Sequence, residues 1–219
     1  MTRAALLFDL DGTLVDTDLL HHAAFASILA ERGRDLGLAE YRTRIMGQPN
    51  DAILADFFPG ESGEVLDRKE AMFRTSLASQ VTPVAGIHAL LDWAEATDTG
   101  TAVVTNAPRA NAEAMLAAAG LAVRLTLLVI GDECARPKPD PAPYRTAMAA
   151  LGATPSRSVA FEDSRSGLRA ARSAGAHVFG MTTGLGPEQL LQAGAHEAIP
   201  DFAAPALWRR LDQLRTRVA

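Results

Sequence analysis

Two carboxylates stand one residue apart where an apolar run stops. In "LLFDLDGTLVDTD", residues 6–18, the run ends in Asp9 and Asp11, and Gly12 and Thr13 follow. Burying one charge is costly, and bringing two like charges together costs more. Either these acids are solvated loop residues or something positive sits between them. Three further spots of the same kind occur in order. Thr105 and Asn106 follow "TAVV", Lys138 stands between Pro137 and Pro139 in "ARPKPDP", and Glu162 and Asp163 follow "SVAF". Proline fixes its own φ and biases the residue before it toward extended geometry, so Lys138 has a stiff base. Taken singly, each spot reads as ordinary structure: a strand-end turn, loop polarity, a surface lysine, a helix N-cap. Together, each at the end of a different apolar run, they suit a metal ion and a phosphoryl group. The acids would hold a hard, oxygen-seeking cation such as Mg²⁺, and that cation with Lys138 would offset their mutual repulsion.

The elements that must bring these spots together are short continuous apolar runs. They are "RAALLFDL", "TAVVT" (101–105), "LTLLVI" (125–130), "SVAF" (158–161) and "HVFGM" (177–181). Runs of this length and kind are what buried parallel strands use. Helical patterns at about 86–97, 109–119, 141–151, 165–174 and 187–193 lie between them. Strand-helix alternation predicts an α/β chain, a Rossmann-like parallel sheet with helices on both faces. In such sheets ligands bind beyond the carboxyl ends of the strands, which is where all four spots fall. Residues 16–82 break the rhythm, because four helical patterns occur there and no convincing strand. That stretch is too long for a structureless loop. We therefore expect a core of 1–15 and 83–219 with an inserted small α-helical domain of 16–82.

These motifs carry a resemblance. The chain is similar to the haloacid dehalogenase (HAD) superfamily of phosphohydrolases, and within it to the β-phosphoglucomutase-like sugar phosphatases. "DLDGT" matches the first motif, the strand ending "VVTN" the second, "KPDP" the third and "FEDSRSG" the fourth. The helical insert matches the family's first type of cap in position and size. The resemblance implies roles. Asp9 is the nucleophile, forming an aspartyl-phosphate, and Asp11 is the general acid and then base. Mg²⁺ sits on Asp9, the backbone carbonyl of Asp11 and Asp163, with Glu162 on or next to the ion. Thr105, Lys138 and the backbone N–H of Asn106 hold phosphoryl oxygens. The implied activity is Mg-dependent hydrolysis of a small phosphate monoester, a sugar phosphate or a phosphoglycolate-like compound, with the cap closing over the cleft.

The main alternative is a sugar-phosphate mutase. His21, twelve residues after Asp9, matches a histidine that those mutases keep on the first cap helix. Two departures weigh against this reading. Asn50 stands where the mutase cap loop carries an arginine, and Ala107, Pro108 and Arg109 replace a Ser-Lys-Asn run. Arg109, Arg74 and Lys69 are the cations that could substitute. Dehalogenation is disfavoured by Asp11, since displacing halide needs no proton donor. A phospho-Asp signalling module, the non-enzyme alternative, is much shorter and lacks the insert.

Composition bounds the rest. A net charge of −5 gives no nucleic-acid footprint, and no apolar run approaches a membrane span. Cys134 is the one cysteine, which rules out an internal disulfide and suits a reducing compartment. The expected setting is the cytoplasm, as a monomer or weak dimer acting on a phosphorylated metabolite.

Overall fold

The computed structural model describes residues 3–46, 48, 50–77 and 81–216. The chain divides into two units, Met1–Asp16 with Thr82–Ala219, and Thr17–Val81.

The first unit holds a parallel sheet. Its strands are β1 (Arg3–Phe8), β2 (Gly100–Thr105), β3 (Leu128–Ile130), β4 (Ala153–Glu162), β5 (His177–Met181) and β6 (Glu197–Ile199). They lie in the order β3-β2-β1-β4-β5-β6. The chain steps from β1 outward through β2 to β3, then returns to the other side of β1 for β4, β5 and β6. Right-handed crossovers running in opposite directions put helices on both faces of the sheet. Those helices are numbered with the rest of the chain, after the four of the second unit: α5 (Ile87–Ala96), α6 (Arg109–Ala118), α7 (Ala142–Ala150), α8 (Arg165–Ser173), α9 (Pro187–Ala193) and α10 (Pro205–Thr216). The order reverses between β1 and β4, the place where such sheets open a crevice.

Alternation along β1 divides the core. Ala5 and Leu7 point to one face, where α7 and α8 pack with Tyr144, Ala147, Met148, Leu168 and Ala171. Phe8 points to the other, where it stacks on Phe161 at 5.1 Å and meets Phe202 edge-on at 5.8 Å. Phe161 also stacks on Phe179. All four rings are fully buried. Burial of each contributes about 1.5–3 kcal/mol, with ~0.5–1.5 kcal/mol more for a good ring pair. Register then fixes which residues emerge together. Phe8 pairs with Val103 on one side and Phe161 on the other, so Asp9 emerges level with Glu162, and Thr105 one residue further along β2. The Asp9 N–H extends the ladder by one bond, donating to Phe161 O at 3.0 Å.

Some elements differ from the sequence expectation. β3 is only Leu128–Ile130 because, at the sheet edge, it pairs with β2 alone over Val103–Thr105. β4 starts at Ala153, earlier than its apolar run, because Arg3 pairs with Ala153 before the register shifts at Ala5 and Ser158. β6 and α10 lie beyond the last element read from the sequence.

The second unit is helical: α1 (Asp18–Ala30), α2 (Leu38–Arg44), α3 (Asn50–Phe57) and α4 (Glu64–Ser76). Its own core contains Phe25, Ile28, Leu29, Tyr41, Ile53, Phe57, Phe58 and Leu66. The last of the four helical patterns in the sequence, "SGEVLDRKEAMFRTSLASQ" (62–80), ends in residues 78–80, which lie outside the described residues. Among the described residues no helix is long and apolar enough to cross a membrane.

Candidate active site

The ends of β1, β2 and β4 supply the site, and the loop from Pro137 to Pro139 brings up the cation. Lys138 Nζ donates to Asp9 Oδ1 at 2.6 Å and to Glu162 Oε1 at 2.5 Å. Lys138 is 6% exposed, Asp9 7% and Glu162 0%, so one ammonium links two carboxylates out of solvent. Burial alone would lower the lysine pKa. Asp9 and Glu162 outweigh that and hold it above the ordinary lysine value.

Asn106 fixes the lysine's backbone. Its Nδ2 donates to Lys138 O and its Oδ1 accepts from Lys138 N–H, each at 3.1 Å. The side-chain amide is therefore committed to the Lys138 loop, which leaves the backbone N–H as the Asn106 group to meet an anion. The Thr105 hydroxyl oxygen accepts from Ala107 N–H at 3.0 Å, which orients it at the end of β2.

Glu162 is held on both oxygens. Oε1 accepts from Lys138 Nζ and from the Tyr144 hydroxyl, the latter at 2.8 Å. Oε2 accepts from Ser164 Oγ at 3.0 Å and Ser164 N–H at 3.3 Å. A carboxylate offers about four lone-pair directions, and these four donors use them. Ser164 also caps α8, its Oγ accepting from Gly167 N–H at 3.1 Å. Glu162 thus rests against the first turn of a helix, where backbone N–H groups favour negative charge. Its closeness requires Gly167, where a Cβ would lie 1.7 Å from Oε1.

Asp163 lies over the first turn of the "DLDGT" loop. Gly12 has φ +77°, and a Cβ there would be 2.3 Å from Asp163 Oδ2. The Gly12 carbonyl accepts from Thr183 Oγ1 at 2.6 Å, tying the turn to the segment after β5.

Negative charge is in excess. Asp9, Glu162 and Asp163 each offer a carboxylate oxygen, all within 4.8 Å of one another. Asp11 is half-buried, and its carboxylate is not one of that converging set. Burial raises the Asp9 carboxyl from 3.8 to about 7; Lys138 opposes this, and Glu162 and Asp11 reinforce it. A buried carboxyl raised this far, among three others and one ammonium, lacks positive charge. Hard oxygen donors in that number and spacing fit a divalent metal ion.

The residues weighed in the helical unit have other neighbours. His21 stacks on Phe73 with centroids 3.7 Å apart, and its Nδ1 is 2.6 Å from Lys69 Nζ. Lys69 is 3% exposed, 4.6 Å from the Phe25 ring centroid and paired with Glu70 at 3.1 Å. Asn50 is exposed at the start of α3, and Gly47 of its loop lies outside the described residues. In the first unit, Arg109 is bidentate to Glu133, at 2.8 and 2.6 Å, with Glu113 3.6 Å away. Cys134 packs against the core below β3.

Sequence reasoning missed Tyr144, Ser164 and Thr183. A tyrosine on the apolar face of α7 is a signal in principle, since a buried phenol needs a hydrogen-bond partner. Nothing local marks Thr183, whose partner is 171 residues away.

Comparison with known proteins gives the same picture. CbbY of Rhodobacter capsulatus is 31% identical over 231 residues, covering 94% of this chain and 96% of that protein. Validoxylamine A 7'-phosphate phosphatase of Streptomyces hygroscopicus subsp. limoneus is 33% identical, covering 85% and 89%. The crystal structure of CbbY from Rhodobacter sphaeroides in complex with phosphate has a TM-score of 0.80 and 30% identity, covering 93% and 96%. Residues 6–181, which include all four strand-end spots, match the family of haloacid dehalogenase-like hydrolases, and the chain belongs to that family.

Proposed function

We propose that this chain is a Mg²⁺-dependent phosphatase that hydrolyses a small phosphate monoester, of a sugar or a phosphoglycolate-like compound, through an aspartyl-phosphate. The observation that carries this reading is the Lys138 ammonium bound to Asp9, with surplus carboxylate around it, at the carboxyl ends of β1 and β4. An Asp9 oxygen attacks phosphorus and the ester P–O bond breaks. The Asp11 carboxyl gives its proton to the leaving alkoxide. Water then attacks phosphorus, passing a proton back to Asp11, and the bond to Asp9 breaks to release inorganic phosphate. Thr105 Oγ1, Asn106 N–H and Lys138 Nζ donate to the phosphoryl oxygens, which is where charge must be neutralised.

Asp9, Asp163 and the Asp11 backbone carbonyl are the groups to hold the cation. Glu162, its oxygens already accepting four bonds, serves as the anchor for Lys138. When bound, Mg²⁺ supplies the positive charge that keeps Asp9 ionised and offsets the phosphoryl charge. Asp11, whose carboxylate stands apart from the converging three, is left to carry a proton.

Hydrolysis is favoured over phosphoryl transfer to a second sugar position. Arg109 is engaged by two glutamates, and Lys69 is buried against Phe25 and Phe73, so neither is offered to a distal phosphate. We assign the helical insert, residues 16–82, to substrate selection. The substrate class agrees with two further relatives, a phosphorylated carbohydrates phosphatase of Thermotoga maritima and a phosphoglycolate phosphatase of Xylella fastidiosa. The test is phosphate release from p-nitrophenyl phosphate and a panel of sugar phosphates and phosphoglycolate with Mg²⁺. Release without any bisphosphate activator is expected. No release from any ester, or interconversion of glucose 1- and 6-phosphates with little release, would overturn the reading.

A further inference from the structure

We propose that Tyr144 is a positioning residue of this site, acting through Glu162 and its own ring face to hold the Lys138 ammonium at Asp9. The inference rests on the phosphatase reading for its kinetic consequence, but its structural content stands apart from it.

Three observations converge on Tyr144. It is 0% exposed and belongs to α7, which packs on β1, β2, β3 and β4, so its base is rigid. Its hydroxyl donates to Glu162 Oε1 at 2.8 Å, the same oxygen that takes Lys138 Nζ. Its ring centroid lies 5.2 Å from Lys138 Nζ, within cation–π range. One side chain therefore touches the lysine twice, directly by its π face and indirectly by fixing the lysine's acceptor. A lysine side chain has four rotatable bonds and an ammonium without directional preference. Two carboxylates alone do not fix its depth. A ring on one side and an acceptor locked by a phenol define one position. Ser164 restrains the other oxygen of Glu162 from α8, so the glutamate is held from two helices at once.

Tyr144 does not meet the reacting atoms, so its removal acts on precision. A displacement of the order of 1 Å in a charged group at a phosphoryl site can cost about 10²-fold in rate. Tyr144→Phe keeps the ring and deletes the bond to Glu162; Tyr144→Leu deletes both. The expected result is a kcat about tenfold lower for Phe and about a hundredfold lower for Leu, with KM within about twofold of wild type. A merely structural tyrosine would lower the melting temperature and leave the kcat of folded enzyme unchanged.

The second readout needs no activity. In metal-free protein labelled with ¹⁵N-lysine, a buried, hydrogen-bonded Lys138 ammonium gives a slowly exchanging ¹⁵N–¹H signal, identified by its loss in Lys138→Met. That signal is expected in wild type, broadened in Tyr144→Phe and lost in Tyr144→Leu. A folded Tyr144→Phe protein with an unchanged signal, or with wild-type kcat, would overturn the proposal. If wild type shows the ammonium signal but releases no phosphate from any ester, the phosphatase reading fails while the positioning of Lys138 is still decided by the variants.

Discussion

Gly12 and Asp163 approach so closely that only glycine fits: a Cβ on Gly12 would lie 2.3 Å from Asp163 Oδ2. The turn after β1 and the acid after β4 are thus one constructed corner. Gly12→Ala meets two costs, the left-handed φ of +77°, about 1–2 kcal/mol, and displacement of the Asp163 carboxylate. Gly152→Ala is the control, since its φ is +63° but nothing lies within 4 Å of its Cβ position. Both substitutions should lower thermal stability, Gly12→Ala the more, since only its Cβ also displaces a side chain. Only Gly12→Ala should also weaken Mg²⁺ activation, by at least about tenfold in the concentration needed, as one displaced ligand does. Equal Mg²⁺ requirements in the two variants would contradict this.

Asn106 offers a prediction about the lysine loop. Its amide forms a reciprocal pair with the Lys138 backbone, two bonds that Asn106→Ala removes together. Each typical bond contributes about 0.5–1.5 kcal/mol net, so a loss of about 1–3 kcal/mol in urea unfolding is expected. Activity should fall as well, since the loop carries Lys138. Asn106→Asp keeps one acceptor, for Lys138 N–H, and should recover part of the stability. A folded Asn106→Ala protein with full activity would show that the loop needs no such clamp.

Acid titration should reveal two groups with opposite signs. Burial raises the Asp9 carboxyl to about 7. Between about pH 4 and 7 the folded, metal-free chain therefore binds this proton more tightly than the unfolded chain, and stability from this group falls as pH rises. His177, lowered from 6.5 to about 4 by burial and then by Arg210, does the reverse. The unfolded chain binds its proton more tightly from about pH 6.5 down to 4, so stability is lost as pH falls through that window. In metal-free protein, relative to wild type, Asp9→Asn should make the melting temperature rise more steeply from pH 4 to 6.5, and His177→Gln should make it rise less. Identical pH profiles for wild type and both variants would contradict these assignments. In the proposed site the cation needs ionised Asp9, so the melting-temperature gain on adding Mg²⁺ should shrink as pH falls below about 7.

Most of what positions the site was legible in the sequence, for a physical reason. A parallel strand buried on both faces is a short continuous apolar run, and β1, β2 and β5 read that way directly. The residue after such a run lies at the open end of the sheet, so Asp9, Thr105 and Glu162 could be grouped before any register was known. What was not legible depends on contacts distant in sequence. The bonds that Tyr144 and Ser164 make to both oxygens of Glu162 could not be read from the sequence. The clamp made by the Asn106 side-chain amide was invisible because its partner, the Lys138 backbone, is 32 residues away. His21 showed a helix position but not the Phe73 ring stacked on it. Edge strands were the weakest reading: β3, read over 125–130, is three residues long, and β6, also three residues with one neighbour, was too short to register.

The central claim is that Asp9 itself attacks phosphorus. The direct measurement is to acid-quench the enzyme during turnover with Mg²⁺ and a good phosphate ester, reduce it with borohydride and map the peptides by mass spectrometry. An acyl phosphate is reduced to the alcohol, so Asp9 should appear as homoserine, in proportion to the enzyme caught mid-cycle and absent without substrate. An unmodified Asp9 peptide in enzyme that is turning over, with the reduced residue elsewhere in the chain, would contradict the account.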